Sequence, residues 1–215
     1  MYLEPAWILV VGAPGSGKGS TERVVRQRLV EEDHDCDGFS VSDQLGKNPE
    51  AKKIMVSGEL VPNELTKAVV RQKLRTIPHI QSKILFLDGA GRTVDQFDDL
   101  YQAALDLKCR LIVVYINTPL EDCFQRCVDR PNDPGERRPD DDPTIVTRRF
   151  EVFLKETLPV IQHVQERKLP FIEVVGNPAI KNKEESIKYV ANNILMELLA
   201  YSNSGSSIST SSHPT

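Results

Sequence analysis

Short apolar runs alternate with longer mixed stretches along the chain, and this alternation predicts its fold. The runs are rich in Val, Ile and Leu, as expected for buried strands, and cover residues 8–11, 39–41, 83–87, 110–116 and 171–175. The stretches between and after them are predicted helices at residues 21–31, 43–57, 64–75, 95–107, 120–129, 144–167 and 184–200. This order indicates an α/β protein: a five-stranded parallel sheet with helices on both faces, forming a three-layer sandwich. It fits one domain over residues 1–200.

Several residues mark where the helices should begin, bend or end. Thr118 is expected to cap the helix at 120–129, with Pro119 at its first position. Pro159 lies inside the long helix and is expected to kink or break it. Beyond the last helix, residues 201–215 are rich in serine and nearly free of apolar side chains, which predicts a disordered tail.

A glycine-rich loop lies between the first strand and the first helix, with the sequence Gly12-Ala-Pro-Gly15-Ser16-Gly17-Lys18-Gly19-Ser20. Strand, glycine loop and helix form the context of a phosphate-binding loop, whose backbone N–H groups surround a polyphosphate. The positive end of the helix points at the same anion, and Lys18 adds a charge for its outer phosphates. The usual loop has Ser or Thr directly after the Lys, whereas here Gly19 intervenes before Ser20. The alternative is a glycine turn that binds nothing.

Composition and charge narrow the range of partners. The 215 residues carry a formal net charge of −4, which argues against a general nucleic-acid binder, although a local basic cleft is compatible with it. No apolar run reaches membrane-spanning length, and the first residues lack the features of a signal peptide, so we expect a cytoplasmic protein without membrane contact. No coiled-coil seam is present, and a monomer is expected.

The cysteines do not point to a metal site. Cys36, Cys109, Cys123 and Cys127 form no C-x-x-C pair, so we expect free thiols and no zinc. Asp88 is the stronger metal candidate, because it ends a buried strand, where an unpaired carboxylate would be costly. A magnesium ion, reached directly or through water, would explain it; a carboxylate that caps a nearby turn is the alternative.

Several motifs in order along the chain resemble the adenylate kinase family of nucleoside monophosphate kinases, in the form with a short lid and no zinc. The resemblance runs from about residue 7 to 200, and the glycine loop matches the family's GxPGxGKG(S/T). The other matching segments are Ser40-Val-Ser-Asp43 (STGD), Gly58-Glu-Leu-Val-Pro62 (GxLVP), Asp88-Gly-Ala-Gly-Arg92 (DGFPR), Gln96, Arg126, Arg130, Arg138-Pro-Asp-Asp141 (RxDD) and Arg149.

The resemblance implies a P-loop NTPase fold and a set of site residues. It implies a monophosphate-binding segment at about 40–70 and a mobile lid at about 130–143, where Asp140 and Asp141 would help closure or cap the next helix. The expected ATP site comprises Gly15, Ser16, Gly17, Lys18, Gly19, Ser20, Arg126 and Arg130. The expected monophosphate site comprises Val41, Val61, Gly89, Arg92, Gln96, Arg138 and Arg149. Transfer would use Lys18, Arg92, Arg130, Arg138 and Arg149, and Mg²⁺ would be bound near Ser20 and Asp88, through water.

The phosphate clamp of the acceptor departs from the family pattern. Val41 stands at the Thr position of STGDLLR, and Gly46 stands at its Arg position. Lys47 could restore part of the charge but not the paired geometry of a guanidinium group. Gly91 replaces the proline of DGFPR, which frees the loop that presents Arg92.

Two classes of function remain open on these residues. The first is an enzyme that transfers the γ-phosphate of ATP to AMP and gives two ADP; Gln96 favours AMP because an amide can both donate to and accept from the adenine edge. A UMP or CMP kinase is a variant of it. The second is a weakened or inactive nucleotide-binding module, which the changes at Val41, Gly46 and Gly91 would favour. A signalling GTPase is disfavoured because no NKxD segment is present.

Overall fold

The structure, a computed structural model, describes residues 3–130 and 142–203. Its centre is a five-stranded parallel sheet, as predicted, with the strand order β2-β3-β1-β4-β5. The strands are β1 (Ala6–Val11), β2 (Cys36–Ser40), β3 (Ile84–Asp88), β4 (Leu111–Asn117) and β5 (Phe171–Val175). All six residues of β1 are buried, because helices cover the sheet on both faces.

Alternate side chains of β1 face two separate cores. Trp7, Leu9 and Val11 belong to the core on one face, and Ala6, Ile8 and Val10 belong to the core on the other. The α-helices are α1 (Lys18–Glu31), α2 (Val41–Leu45), α3 (Pro49–Val56), α4 (Asn63–Thr76), α5 (Val94–Asp106), α6 (Leu120–Asp129), α7 (Pro143–Val152), α8 (Leu158–Glu166) and α9 (Lys183–Asn203). α4, α5 and α8 supply the first core, and α1 and α9 supply the second. The three-layer α/β fold class is thereby confirmed.

The region after β2 differs from the prediction. The second strand ends at Ser40, and Val41 begins α2 instead of ending the strand. The helix predicted at 43–57 is two helices, because Asn48 accepts hydrogen bonds from the N–H groups of Glu50 (2.9 Å) and Ala51 (3.2 Å) and so starts a new helix at Pro49. Val41 therefore lies on a short helix that is separate from α3, and Gly46 directly follows that short helix.

Thr118 does not cap α6, and that prediction is wrong. Its hydroxyl lies 3.5 Å from the carbonyl oxygen of Ser16, within the glycine loop, and Pro119 occupies the position before α6. Thr118 is buried and joins the end of β4 to the loop instead of satisfying its own helix.

Pro159 does not break the long helix. One π-helical turn at Phe153–Thr157 connects α7 to α8, and Pro159 follows in the first turn of α8. The helix predicted at 144–167 therefore continues from α7 to α8 with one wide turn.

The four cysteines are free thiols, as predicted: Cys123 and Cys127 are buried, while Cys36 and Cys109 are half-buried. Within residues 3–130 and 142–203, no helix combines the length and the apolar character that crossing a bilayer requires. The prediction of a disordered tail over 201–215 is wrong for residues 201–203, which belong to α9. Residues 204–215 and most of the expected lid, residues 131–141 with Arg138, Asp140 and Asp141, lie outside the described residues.

Candidate active site

The glycine loop connects β1 to α1 at the carboxyl edge of the sheet. Gly15 and Gly17 have φ values of +82° and +92°, a range that side chains disfavour. Gly17 directly precedes α1, so the unpaired N–H groups of the first helical turn face the loop. Such a nest of donors at a helix N-terminus is an anion site.

The loop packs tightly against β4 and α6. A Cβ atom on Gly15 would lie 2.1 Å from the carbonyl oxygen of Cys123, and one on Gly12 would lie 2.9 Å from that of Ile116. Ser16 is buried as well. The loop is therefore held in shape by its neighbours.

The Lys18 ammonium group lies folded over the loop. It donates hydrogen bonds to the carbonyl oxygens of Gly12 (2.7 Å) and Ala13 (2.8 Å). Burial lowers the pKa of Lys18 to about 8; the Asp88 carboxylate opposes this shift, and the Arg92 and Arg149 guanidinium groups add to it. The lowered pKa therefore reflects mainly the loss of water around the ammonium group, and a bound oligophosphate would favour its charged form.

One cavity of about 200 Å³ extends from the glycine loop to α7. Four of the charged residues predicted for the site line it. Lys18, Asp88, Gly89, Arg92 and Arg149 line it together. On its far side it is lined by Ser42, Met55, Gly58, Glu59, Leu60, Val152, Phe153 and Thr157. The two arginines come from segments 57 positions apart in sequence, and the fold brings them to the same cavity as the loop lysine.

Three residues expected at the monophosphate site do not line this cavity. Val41 and Val61 are 2% and 4% exposed and belong to the core. Gln96 is 4% exposed; its Oε1 accepts from the N–H of Arg92 (3.1 Å) and its Nε2 donates to Oδ1 of Asn63 (2.8 Å). Its amide therefore supports the loop at Arg92 in this structure.

Arg126 and Arg130 lie on and just after α6, outside the cavity. The guanidinium group of Arg126 donates to the carbonyl oxygen of Gly176 (3.3 Å) and to Oδ1 of Asn177 (3.1 Å), in the loop after β5. Arg130 contacts the sulfur of Cys127 at 3.7 Å. α6 also packs against Gly15, so Arg126 lies on a helix beside the glycine loop.

The altered acceptor clamp has an apolar residue near it. The Cε atom of Met55 would lie 3.9 Å from a Cβ atom on Gly46, and Met55 lines the cavity. Lys47 is exposed, and its ammonium group donates to Oε1 of Gln44 (2.9 Å). The structure does not bring Lys47 into the cavity, so it leaves the lost guanidinium group unreplaced there.

The donor set fits a magnesium ion held largely by substrate phosphates and water. Asp88 lines the cavity and makes no side-chain hydrogen bond or ion pair with residues 3–130 or 142–203, so its carboxylate has ligand capacity left. Burial, with the Asp88 carboxylate adding, raises the pKa of Glu22 to about 7, because a second negative charge near Asp88 is disfavoured. Across the described ranges no group of three or more His, Cys, Asp or Glu side chains could hold a metal by itself.

Sequence reasoning missed several residues of the cavity, among them Thr157 and Met55. Thr157 enters it from the π-helical turn, and Met55 enters it from α3. The proline two residues after Thr157 was the available signal for an irregular turn, but it does not say which side chain that turn redirects.

A glycine loop with a half-buried lysine folded over it, at the carboxyl edge of a five-stranded parallel sheet, defines a P-loop nucleotide-binding protein. Residues 10–169 match the family model described as Adenylate kinase. The adenylate kinase of Mesoplasma florum is 30% identical over 199 residues, covering 79% of this chain and 92% of that protein. The adenylate kinases of Streptococcus sanguinis and Streptococcus pyogenes are each 29% identical and cover 87% and 80% of this chain, and 99% and 92% of their own lengths.

The chain belongs to the adenylate kinase family. Family membership supports a nucleotide-binding kinase, a phosphotransferase that acts on nucleoside monophosphates.

Proposed function

We propose that the protein transfers the γ-phosphate of ATP to AMP and releases two ADP. The observation that carries this proposal is the convergence of Lys18, Arg92 and Arg149 on one cavity beside the glycine loop. Phosphoryl transfer between two nucleotides gathers negative charge, and an enzyme promotes it mainly by positioning and by neutralising that charge. The adenylate kinases named above support the choice of reaction.

On the donor side, the N–H groups of residues 15–20 and the Lys18 ammonium group hold the phosphates of ATP. Arg126 and Arg130 lie on the same flank and contact the donor nucleotide, Arg126 from its position beside Gly176. Ser20 and Asp88 hold the magnesium ion, directly or through water. When bound, this ion neutralises charge on the β- and γ-phosphates.

On the acceptor side, Arg92 and Arg149 bind the monophosphate and the group in transfer, joined by Arg138 from the lid at 130–143. The segment at about 40–70 closes over the acceptor nucleotide. Gln96 reads the adenine edge: its amide uses one acceptor and one donor on Arg92 and Asn63 and keeps one of each for the base. No strong base is required, because the acceptor phosphate is already a nucleophile.

A panel of acceptors tests the proposal directly. Purified protein is incubated with ATP and Mg²⁺ and one of AMP, UMP, CMP or dTMP, and diphosphate formation is followed in a coupled assay. We expect AMP to give the highest kcat/KM. Faster transfer to UMP or CMP would make the protein a pyrimidine monophosphate kinase, and no transfer to any acceptor, with ATP still bound, would leave only a nucleotide-binding module.

Gly46 and the nearby Met55 favour that second candidate, a catalytically weakened form. If the acceptor clamp is weakened here, an arginine at position 46 should increase activity. Gly46 has φ −61° and ψ −15°, which suit any residue, so Gly46→Arg keeps the backbone conformation. The added Cβ would lie 3.2 Å from the carbonyl oxygen of Ser42, a tight contact that a shift of a few tenths of an ångström relieves. A new charge-assisted contact to phosphate is worth about 1.5–3 kcal/mol, so the KM for AMP should fall roughly tenfold or more.

Gly46→Gln is the matched control, because it adds a similar stem without charge. It should leave the KM for AMP near the wild-type value. If both variants change the KM equally, charge at this position is irrelevant to the acceptor, and the weakened-clamp explanation is wrong.

A further inference from the structure

The loop that carries Arg92 contains two glycines, so its backbone conformation is weakly restricted for a segment that must position a charged side chain. Gly89 has φ +77° and Gly91 has φ +151°, and a Cβ atom on Gly91 would lie 3.1 Å from a methyl carbon of Leu9. Glycine is needed at position 91, yet glycine also leaves the chain with the largest choice of conformations. Something outside the loop has to define where Arg92 lies.

Two buried side chains hold the backbone of Arg92 from opposite ends. Gln96, in the first turn of α5, accepts from its N–H at 3.1 Å, and Thr157 donates from its hydroxyl to its carbonyl oxygen at 3.0 Å. Gln96 is 4% and Thr157 8% exposed, so neither bond competes freely with water. The guanidinium group of Arg92 then lies over Gly89, 3.3 Å from the place of a Cβ there, and lines the cavity.

The π-helical turn explains how Thr157 reaches this position. Leu158 bonds back to the carbonyl oxygen of Phe153, five residues earlier, so the turn holds one residue more than an α-helical turn. One residue corresponds to a rotation of about 100° around the helix axis. Without the wide turn, a helix starting at α7 would direct the residue at position 157 away from Arg92.

We propose that Thr157 is a positioning residue: through the carbonyl group of Arg92 it aims that guanidinium group at the acceptor phosphate. The inference rests on the proposed function, because Arg92 acts on the acceptor there. Thr157 restricts the conformation of the loop, as a residue with less backbone freedom than glycine would do at position 91. It touches no reacting atom itself.

The test compares Thr157→Val, which keeps the shape and removes the donor, with Thr157→Ser, which keeps the donor. Thr157→Val should lower kcat with AMP roughly three- to tenfold and raise the KM for AMP, as expected for one lost buried hydrogen bond, with the KM for ATP unchanged. Thr157→Ser should stay within about twofold of the wild type. Amide exchange measured by NMR should show the Arg92 N–H exchanging roughly three- to tenfold faster in Thr157→Val.

Two further variants separate positioning from general stability. Thr76→Val removes a comparable bond, from the Thr76 hydroxyl to the carbonyl oxygen of Lys73 at 2.7 Å, on an exposed part of α4, and should leave kinetics unchanged. In an Arg92→Ala background, Thr157→Val should add less than about a twofold effect, because its route to the acceptor is gone. A full, additive effect there overturns the proposal.

The remaining outcomes separate this inference from the proposed function. If wild-type protein transfers phosphate and Thr157→Val matches it in kcat and acceptor KM, the positioning role is wrong whether or not exchange changes. If the wild type transfers to no acceptor, the proposed function fails; faster Arg92 exchange with weaker AMP binding by calorimetry in Thr157→Val then still supports positioning, and equal values reject it.

Discussion

Lys18→Met abolishes most of the phosphoryl transfer while leaving the fold intact. The ammonium group provides a charged contact to the donor phosphates, and losing such a contact costs about 2–4 kcal/mol of transition-state stabilisation. We therefore expect kcat/KM to fall roughly 30- to 1,000-fold. Methionine keeps the stem and removes an ammonium group whose burial lowers its pKa to about 8, so relief of that burial offsets the lost bonds to Gly12 and Ala13. The thermal midpoint should change by less than about 3 °C.

Lys47→Met is the control for this variant. Lys47 is an exposed lysine that contacts Gln44 and lies outside the cavity, so its loss should leave kcat/KM within about twofold. Activity is read in the coupled ADP assay and stability by thermal unfolding. Equal activity of the two lysine variants would mean that the glycine loop does not hold the donor.

Gly15→Ala should lower the free energy of unfolding by about 2–5 kcal/mol. The new Cβ would lie 2.1 Å from the carbonyl oxygen of Cys123 and 2.9 Å from the sulfur of Cys127, and both atoms belong to a packed helix. Overpacking of this kind costs about 1–3 kcal/mol, and forcing alanine to φ +82° adds about 1–2 kcal/mol. The loop can relax only by leaving α6, so ATP binding should weaken as well.

Gly19→Ala is the matched variant, four residues away. Among the described residues, and apart from its chain neighbours and the backbone of its own helix, no atom lies within 4 Å of a Cβ placed there. The position is in the first turn of α1, so alanine should raise stability by up to about 1 kcal/mol. Urea unfolding of both proteins gives the comparison. A Gly15→Ala protein as stable as Gly19→Ala would show that the loop is not packed on α6.

The sheet and the glycine loop were predictable because local chemistry determines them. Buried parallel strands need continuous apolar runs, such as that of β4, and the left-handed conformations at Gly15 and Gly17 need glycine. The cavity residue Asp88 followed from its place at the end of a strand, and Arg92 followed from the resemblance of residues 88–92 to the family's DGFPR segment. In such a sheet, the carboxyl ends of the strands face a common crevice.

What could not be predicted depends on partners distant in sequence. The hydroxyl of Thr118 could bond either to its own helix or to the carbonyl oxygen of Ser16, which is 102 residues away. Only the fold brings this second partner near. Gln96 likewise bonds to Asn63, 33 residues before it. The division of α2 from α3 is different: Asn48 and Pro49 are a local helix-start signal that the helical reading of 43–57 passed over.

The strand order has a consequence for the chain as it leaves the ribosome. β1 is the middle strand, flanked by β3 and β4, so the N-terminal strand has no neighbours until residues 84–88 and 111–117 have been made. Ser16 and Gly12 also pack against residues at the end of β4. A nascent chain of fewer than about 120 residues contains the glycine loop but cannot hold it in its folded shape, since at least one neighbour of β1 is missing. Nucleotide can therefore assist folding only after more than half of the protein has been synthesised.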